Sequence, residues 1–167
     1  MKLLKLVVIV SLAGLVLVTG CISQPERTEV SSKRGILQME AKIIEKGNNW
    51  YLINFTVRNV GNSSVRVALP IYFITLKVKL YEGDRELKYM GPVPTYLPLT
   101  ESQTKVLKPG ESINVAYNVN LCWWNITKGG TYRLAITYVT RNVASKGVDF
   151  LRTEITISQN VTAVPCQ

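Results

Sequence analysis

The sequence predicts an all-β fold: an antiparallel two-sheet sandwich of seven to nine strands, preceded by an N-terminal signal or anchor helix. Three observations predict it. Apolar residues recur at every second position in successive runs from Ile36 onward, turn residues separate the runs, and no stretch beyond Val18 shows a helical period. A chain of 167 residues supports one ordinary domain, and its 47% hydrophobic content is too high for a disordered one.

The first element is the N-terminal segment. Lys2 and Lys5 precede Leu6 to Val18, an uncharged and nearly all aliphatic run, which is the layout of a signal peptide over residues 1–20. Leu17-Val18-Thr19-Gly20-Cys21 then resembles the lipobox of prokaryotic lipoproteins, in which small residues admit a peptidase and the cysteine thiol receives the lipid. A single-span membrane anchor is the alternative. Both place the two lysines inside and the remaining chain outside, anchored to the outer face of the cell membrane. Cleavage before Cys21 would remove Lys2 and Lys5, taking the formal charge from +9 to +7.

Residues 21–35 are polar and read as a flexible tether, with the sandwich domain over 36–167. Within that domain Tyr51, Ile53, Phe55 and Val57 alternate with Leu52, Asn54, Thr56 and Arg58, and Val65, Val67 and Leu69 alternate with Arg66 and Ala68. A strand over Ile71 to Tyr81 follows, then alternating sets at Ile113 to Leu121, Tyr132 to Tyr138 and Ile155 to Ile157. Gly47-Asn48-Asn49 and Glu82-Gly83-Asp84 mark turns, and Lys108-Pro109-Gly110-Glu111 has Pro and Gly at the central positions of a type II turn.

Export changes how the cysteines are read. Cys122 and Cys166 are the two left after Cys21, and with no His in the chain to complete a zinc site an oxidising compartment favours a disulfide over separate buried thiols. Closing that loop is worth roughly 4 kcal/mol in the chain-entropy model. Four N-x-S/T sequons start at Asn54, Asn62, Asn125 and Asn160. Asn54 falls inside a predicted strand, which leaves Asn62, Asn125 and Asn160 as the candidate glycosylation sites.

Three segments together resemble a known domain type. Phe55-Thr56-Val57-Arg58-Asn59-Val60-Gly61-Asn62-Ser63-Ser64-Val65, Leu107-Lys108-Pro109-Gly110-Glu111-Ser112 and Gly130-Thr131-Tyr132-Arg133-Leu134 are similar to successive motifs of prokaryotic extracellular immunoglobulin-like domains. The likeness is to the cell-adhesion-related (CARDB) type and to the BsuPI type named after a proteinase inhibitor. It implies an immunoglobulin-like sandwich over about Ile36 to Ser158 and extracellular binding, and it transfers no catalytic residue. Tyr132 stands where such folds carry a tyrosine corner, and Leu134 stands where antibody domains have a disulfide cysteine.

The absence of His removes the usual general base and the commonest metal ligand, and neither a G-x-S-x-G nor a phosphate loop occurs. No catalytic residue, metal or cofactor is therefore nominated. Glu82, Asp84 and Glu86 lack the spacing of a calcium loop and read as a solvated turn. The basic residues run singly or in twos, which argues against nucleic acid and leaves attraction to anionic lipid or acidic wall polymer open.

Two segments are candidate partner-binding sites. Cys122-Trp123-Trp124-Asn125 sets two indoles just past a strand end, where an extended chain points them to opposite sides. They read either as a platform for a sugar or protein, or as core and disulfide cover. Met90 to Leu99 holds three of the seven prolines, with Pro94 and Tyr96 at its centre, and reads as a partner-binding loop or a covered sheet edge. The leading expectation is a non-enzymatic, lipid-anchored module that contacts an envelope protein or glycan. The second is a proteinase inhibitor working through the Pro-rich loop 91–99.

Overall fold

The computed structural model describes residues 27–95 and 98–166. The expected signal segment 1–20, the lipidation candidate Cys21 and Tyr96 lie outside the described residues. The described chain is mostly strand and holds no helix of seven or more residues. Its strands are β1 (Arg27–Arg34), β2 (Leu37–Gly47), β3 (Trp50–Asn59), β4 (Val65–Ala68), β5 (Leu76–Glu82), β6 (Arg85–Glu86), β7 (Thr104–Leu107), β8 (Ser112–Asn120), β9 (Gly130–Val139) and β10 (Glu154–Ala163).

Two four-stranded sheets account for most of the fold, in the orders β1-β2-β3-β8 and β10-β9-β5-β6, and β4 pairs with β7 beside them. All these ladders are antiparallel. The period-2 alternation decides which side chains are inside. Tyr51, Ile53, Phe55 and Val57 of β3 are buried, as are Leu134, Ile136 and Tyr138 of β9, and all belong to one core cluster. The Phe55 and Tyr138 rings meet across it, centroids 6.3 Å apart.

The turns follow their residues. Asn48 and Asn49 link β2 to β3 with φ of 51° and 64°, the two left-handed positions of a type I′ hairpin, which Asn tolerates better than branched residues do. Gly110 has φ of 82°, and the Glu111 amide donates to the Lys108 carbonyl at 3.0 Å, the type II turn expected from Pro109-Gly110. The Tyr132 hydroxyl donates to the Lys128 carbonyl at 2.7 Å and ties the start of β9 to the chain before it.

Two expectations about boundaries are corrected. Arg27–Arg34, read as part of the tether, is β1 and pairs with β2 along its whole length, from Arg27↔Ile44 to Arg34↔Leu37. Ladder hydrogen bonds to β2 satisfy the inner edge of its backbone although its sequence, RTEVSSKR, offers one aliphatic side chain. The strand expected from Ile71 begins instead at Leu76. The Ile71 carbonyl accepts from the amides of Ile74, Thr75 and Leu76, and Phe73 turns the chain with φ of 67°. That region is strained for a bulky residue.

Candidate functional site

The sheet registers bring several chain ends to one pole of the molecule. β1 starts there at Arg27, three residues from Gly47 by its pairing with Ile44. Trp50 opens β3 opposite Asn120, the last residue of β8, and β9 starts opposite the end of β10 at Gly130↔Ala163. After β8 the chain does not stay extended: Leu121–Trp124 is a turn of 3-10 helix capped by the Asn120 side chain, which accepts from the Cys122 amide at 2.8 Å.

That local structure decides the fate of the two indoles. Successive residues of a 3-10 turn are offset by about a third of a turn rather than a half, so opposite faces are not obligatory. Trp124 is 2% exposed and belongs to the core, so its expected role as a partner contact is withdrawn. Trp123 is half-buried and packs edge to face with Trp50 (5.8 Å, 80°) and with Tyr89 (6.2 Å, 72°). Trp50 itself is 40% exposed.

The two candidate segments prove to be one site. The Met90 amide donates to the Trp123 carbonyl, the Tyr89 hydroxyl donates to the Pro92 carbonyl at 3.0 Å, and Gly91 lies so close that an added Cβ would sit 2.6 Å from Trp123 Cγ. The Pro-rich loop is thus seated on the Trp123 side chain, with Met90, Val93 and Pro94 exposed above it. A chain of aromatic contacts runs on from Tyr89 through Phe73 and Tyr72 to Tyr117, with centroid spacings of 5.0, 4.3 and 5.7 Å. Burial pushes the Tyr72 phenol well up, aided by neighbouring Tyr89, and among the described residues its oxygen has no hydrogen-bond partner. Tyr117 is also raised by burial, and its hydroxyl donates to the Pro70 carbonyl at 2.6 Å.

Below the indoles, Cys122 and Cys166 form a disulfide with Cα atoms 5.5 Å apart. Asn49 organises this corner, a role that nothing in its sequence context announced. It is 6% exposed; its Nδ2 donates to the Val164 carbonyl at 2.9 Å and lies 3.2 and 3.3 Å from the two sulfurs, while its Oδ1 accepts from the Val164 amide at 2.9 Å.

The remaining candidates are dispersed. Asn62, Asn125 and Asn160 are exposed, on the β3–β4 connection, just after the 3-10 turn and on β10 respectively. Glu82 pairs with Arg85, and Glu86 with Lys79 at 2.8 Å, so two of the three hairpin carboxylates already hold cations. Among the described residues no three metal-ligating side chains converge. A cleft of about 210 Å³ between the sheets, lined by Thr28, Glu45, Tyr51 and Asn160, lies toward the same end of the strands and has Glu45 as its one lining carboxylate.

Comparison with protein-family models and with curated proteins gives no match. Among solved structures, the chain is similar to β-glucosidase 3B from Thermotoga neapolitana, in a complex with α-D-glucose, at 13% identity and a TM-score of 0.34. The match covers 83% of this chain and 17% of that one. A likeness of that size carries no argument about fold or activity.

Proposed function

We propose that the protein is a non-enzymatic module of the cell surface, lipid-anchored at Cys21, that contacts an envelope protein or glycan through the Trp50–Tyr89–Trp123 corner and the loop seated on it. The single observation that carries this reading is the convergence of the Trp123 segment and the Pro-rich loop. Two stretches more than 25 residues apart in sequence build one continuous aromatic surface, rimmed by exposed Met90 and Val93.

The architecture we propose is an immunoglobulin-like sandwich. In support, β2-β3-β8 and β10-β9-β5-β6 follow the A-B-E and G-F-C-C′ orders of that fold, with β1 added at one edge, and Tyr132 makes the tyrosine-corner bond. Cys122 and Cys166 lie at the pole rather than between the sheets, so their bridge is not the antibody one. The second reading, a proteinase inhibitor, is favoured by one observation: Tyr89 fixes the Pro92 carbonyl while Val93 is 61% exposed, a pre-ordered loop of the kind that enters a cleft at low entropic cost.

In-cell cross-linking tests the leading reading. Because Trp124 is core, the informative variant is Trp50→Ala with Trp123→Ala. Partner cross-links should be lost in that variant; unchanged cross-links would exclude the aromatic corner. Inhibition of any major protease class at micromolar concentration would move the assignment to the inhibitor.

A further inference from the structure

Among the described residues five large hydrophobic side chains are exposed: Trp50 (40%), Met90 (65%), Val93 (61%), Val106 (45%) and Val164 (58%). Four of the five belong to the aromatic pole. Trp50 packs on Trp123, Met90 and Val93 ride the loop hydrogen-bonded to Trp123, and both backbone polar groups of Val164 are bonded to Asn49. Isolated exposed hydrophobics need no explanation, but a cluster of them rimmed by polar residues marks an interaction surface.

The same pole is where the chain enters. β1 runs away from it starting at Arg27, and five residues separate Arg27 from Cys21. Fully extended, the steps from Cys21 to Arg27 reach no more than about 22 Å. The ten-residue strands β3, β9 and β10 are themselves about 33 Å long, so the opposite pole stands beyond the reach of any such link. If the anchor is at Cys21, the end of the domain held nearest the bilayer is the one that carries the indoles.

We propose that the aromatic pole docks on the lipid headgroup layer, with Trp50, Met90 and Val93 inserted at the interface and Trp123 behind them. This rests on the anchored reading above and puts the lipid surface, in place of a protein or glycan, against the corner. The chemistry fits: indole and aromatic rings with one apolar body and one polar edge partition to the headgroup level. Glu82 and Glu86 are neutralised by Arg85 and Lys79, while exposed Lys46 and Lys88 flank Trp50 and Tyr89 without an ion pair among the described residues. Headgroup phosphates are their natural counter-ions.

The test uses the full chain reconstituted in phosphatidylcholine vesicles, with tryptophan fluorescence read against brominated lipid. All three tryptophans lie at this pole, so a remote reporter is made by Ser63→Trp in the otherwise native chain, read as the emission that it adds, which leaves the docking residues in place. A native chain quenched at least about twofold more than the remote reporter, with the excess lowered by Trp50→Phe and by Met90→Ser with Val93→Ser, is the expected result. Equal quenching of the two reporters, or none in either, overturns docking. Thermal melts of each variant identify those that are not folded, and Trp50→Phe alone, the mildest change, keeps the comparison decisive. Lipid contact and protein contact separate cleanly: absent quenching with Trp123-dependent protein cross-links retains the binding module and rejects the bilayer as its target. Quenching with no protein cross-link leaves the lipid surface as the partner.

Discussion

Replacement of Asn49 is the most searching test of the corner that holds the indoles. The residue does two separable things. Its side chain makes two 2.9 Å hydrogen bonds to the backbone of Val164 and touches both disulfide sulfurs, and its backbone occupies the left-handed region at φ of 64°. In Asn49→Gly the side-chain bonds are lost while the backbone stays comfortable. Two net hydrogen bonds at about 0.5–1.5 kcal/mol each give a loss of about 1–3 kcal/mol, toward the low end because Val164 is exposed and water can replace part of what is removed. In Asn49→Ala the same bonds go and a Cβ residue is held in the left-handed region, adding about 1 kcal/mol. The expected order of stability is therefore native, then Gly, then Ala, measured by urea unfolding with the slope held common. An Asn49→Gly protein within about 0.5 kcal/mol of native would show that the bonds contribute nothing net. An Ala variant no less stable than the Gly one would refute the assignment of the turn.

Four further outcomes are expected. Cys122→Ser with Cys166→Ser should lower stability by about 2–5 kcal/mol, and reductant should reproduce the loss in the native chain while leaving the double variant unmoved. Tyr132→Phe removes only the 2.7 Å bond to Lys128 and should cost about 0.5–1.5 kcal/mol in chemical unfolding; a larger loss would mean the ring had shifted. Gly91→Ala brings a methyl within 2.6 Å of Trp123 and should lift the Pro-rich loop, costing about 1–3 kcal/mol and shifting the tryptophan emission, whereas an unchanged spectrum would mean the loop is not seated there. Tyr72, Tyr89, Tyr117, Tyr132 and Tyr138 are all raised above the ordinary tyrosine value of 10.0, mainly by burial, so the folded state keeps protons that the unfolded chain gives up. Their contribution is intact below pH 10 and is lost as pH climbs above it; a pH series of melts flat from 9 to 12 would contradict this.

What was legible in the sequence was what local rules control. The alternation in β3, β9 and β10, the Pro109-Gly110 turn and the Tyr132 placement each depend on a few neighbouring residues, and the structure has all of them. The Cys122–Cys166 bridge was reachable by elimination of other thiol chemistry. β1 was not legible, because a strand whose pairing partner supplies nearly all its order has no need of an apolar face. The Phe73 turn was hidden because the apolar run Ile71 to Ile74 leads straight into the Ile74, Leu76, Val78, Leu80 alternation of β5, although the backbone reverses within that run. The aromatic corner was legible only in pieces. Trp50, Tyr72, Phe73, Tyr89, Tyr117 and Trp123 come from widely separated positions, and their meeting is a property of strand order and register rather than of any local pattern.

The gathering of Arg27 and Cys166 at one pole also governs how the molecule can be handled. A fluorescent protein fused after Gln167 would be wedged beside the disulfide and the indoles, where it would compete with whatever they touch. The opposite pole carries the solvent-exposed Asn62-Ser63-Ser64 connection and the Lys108-Pro109-Gly110-Glu111 turn. An epitope tag spliced between Ser63 and Ser64 would stand at the far pole from the indoles and leave the aromatic corner clear.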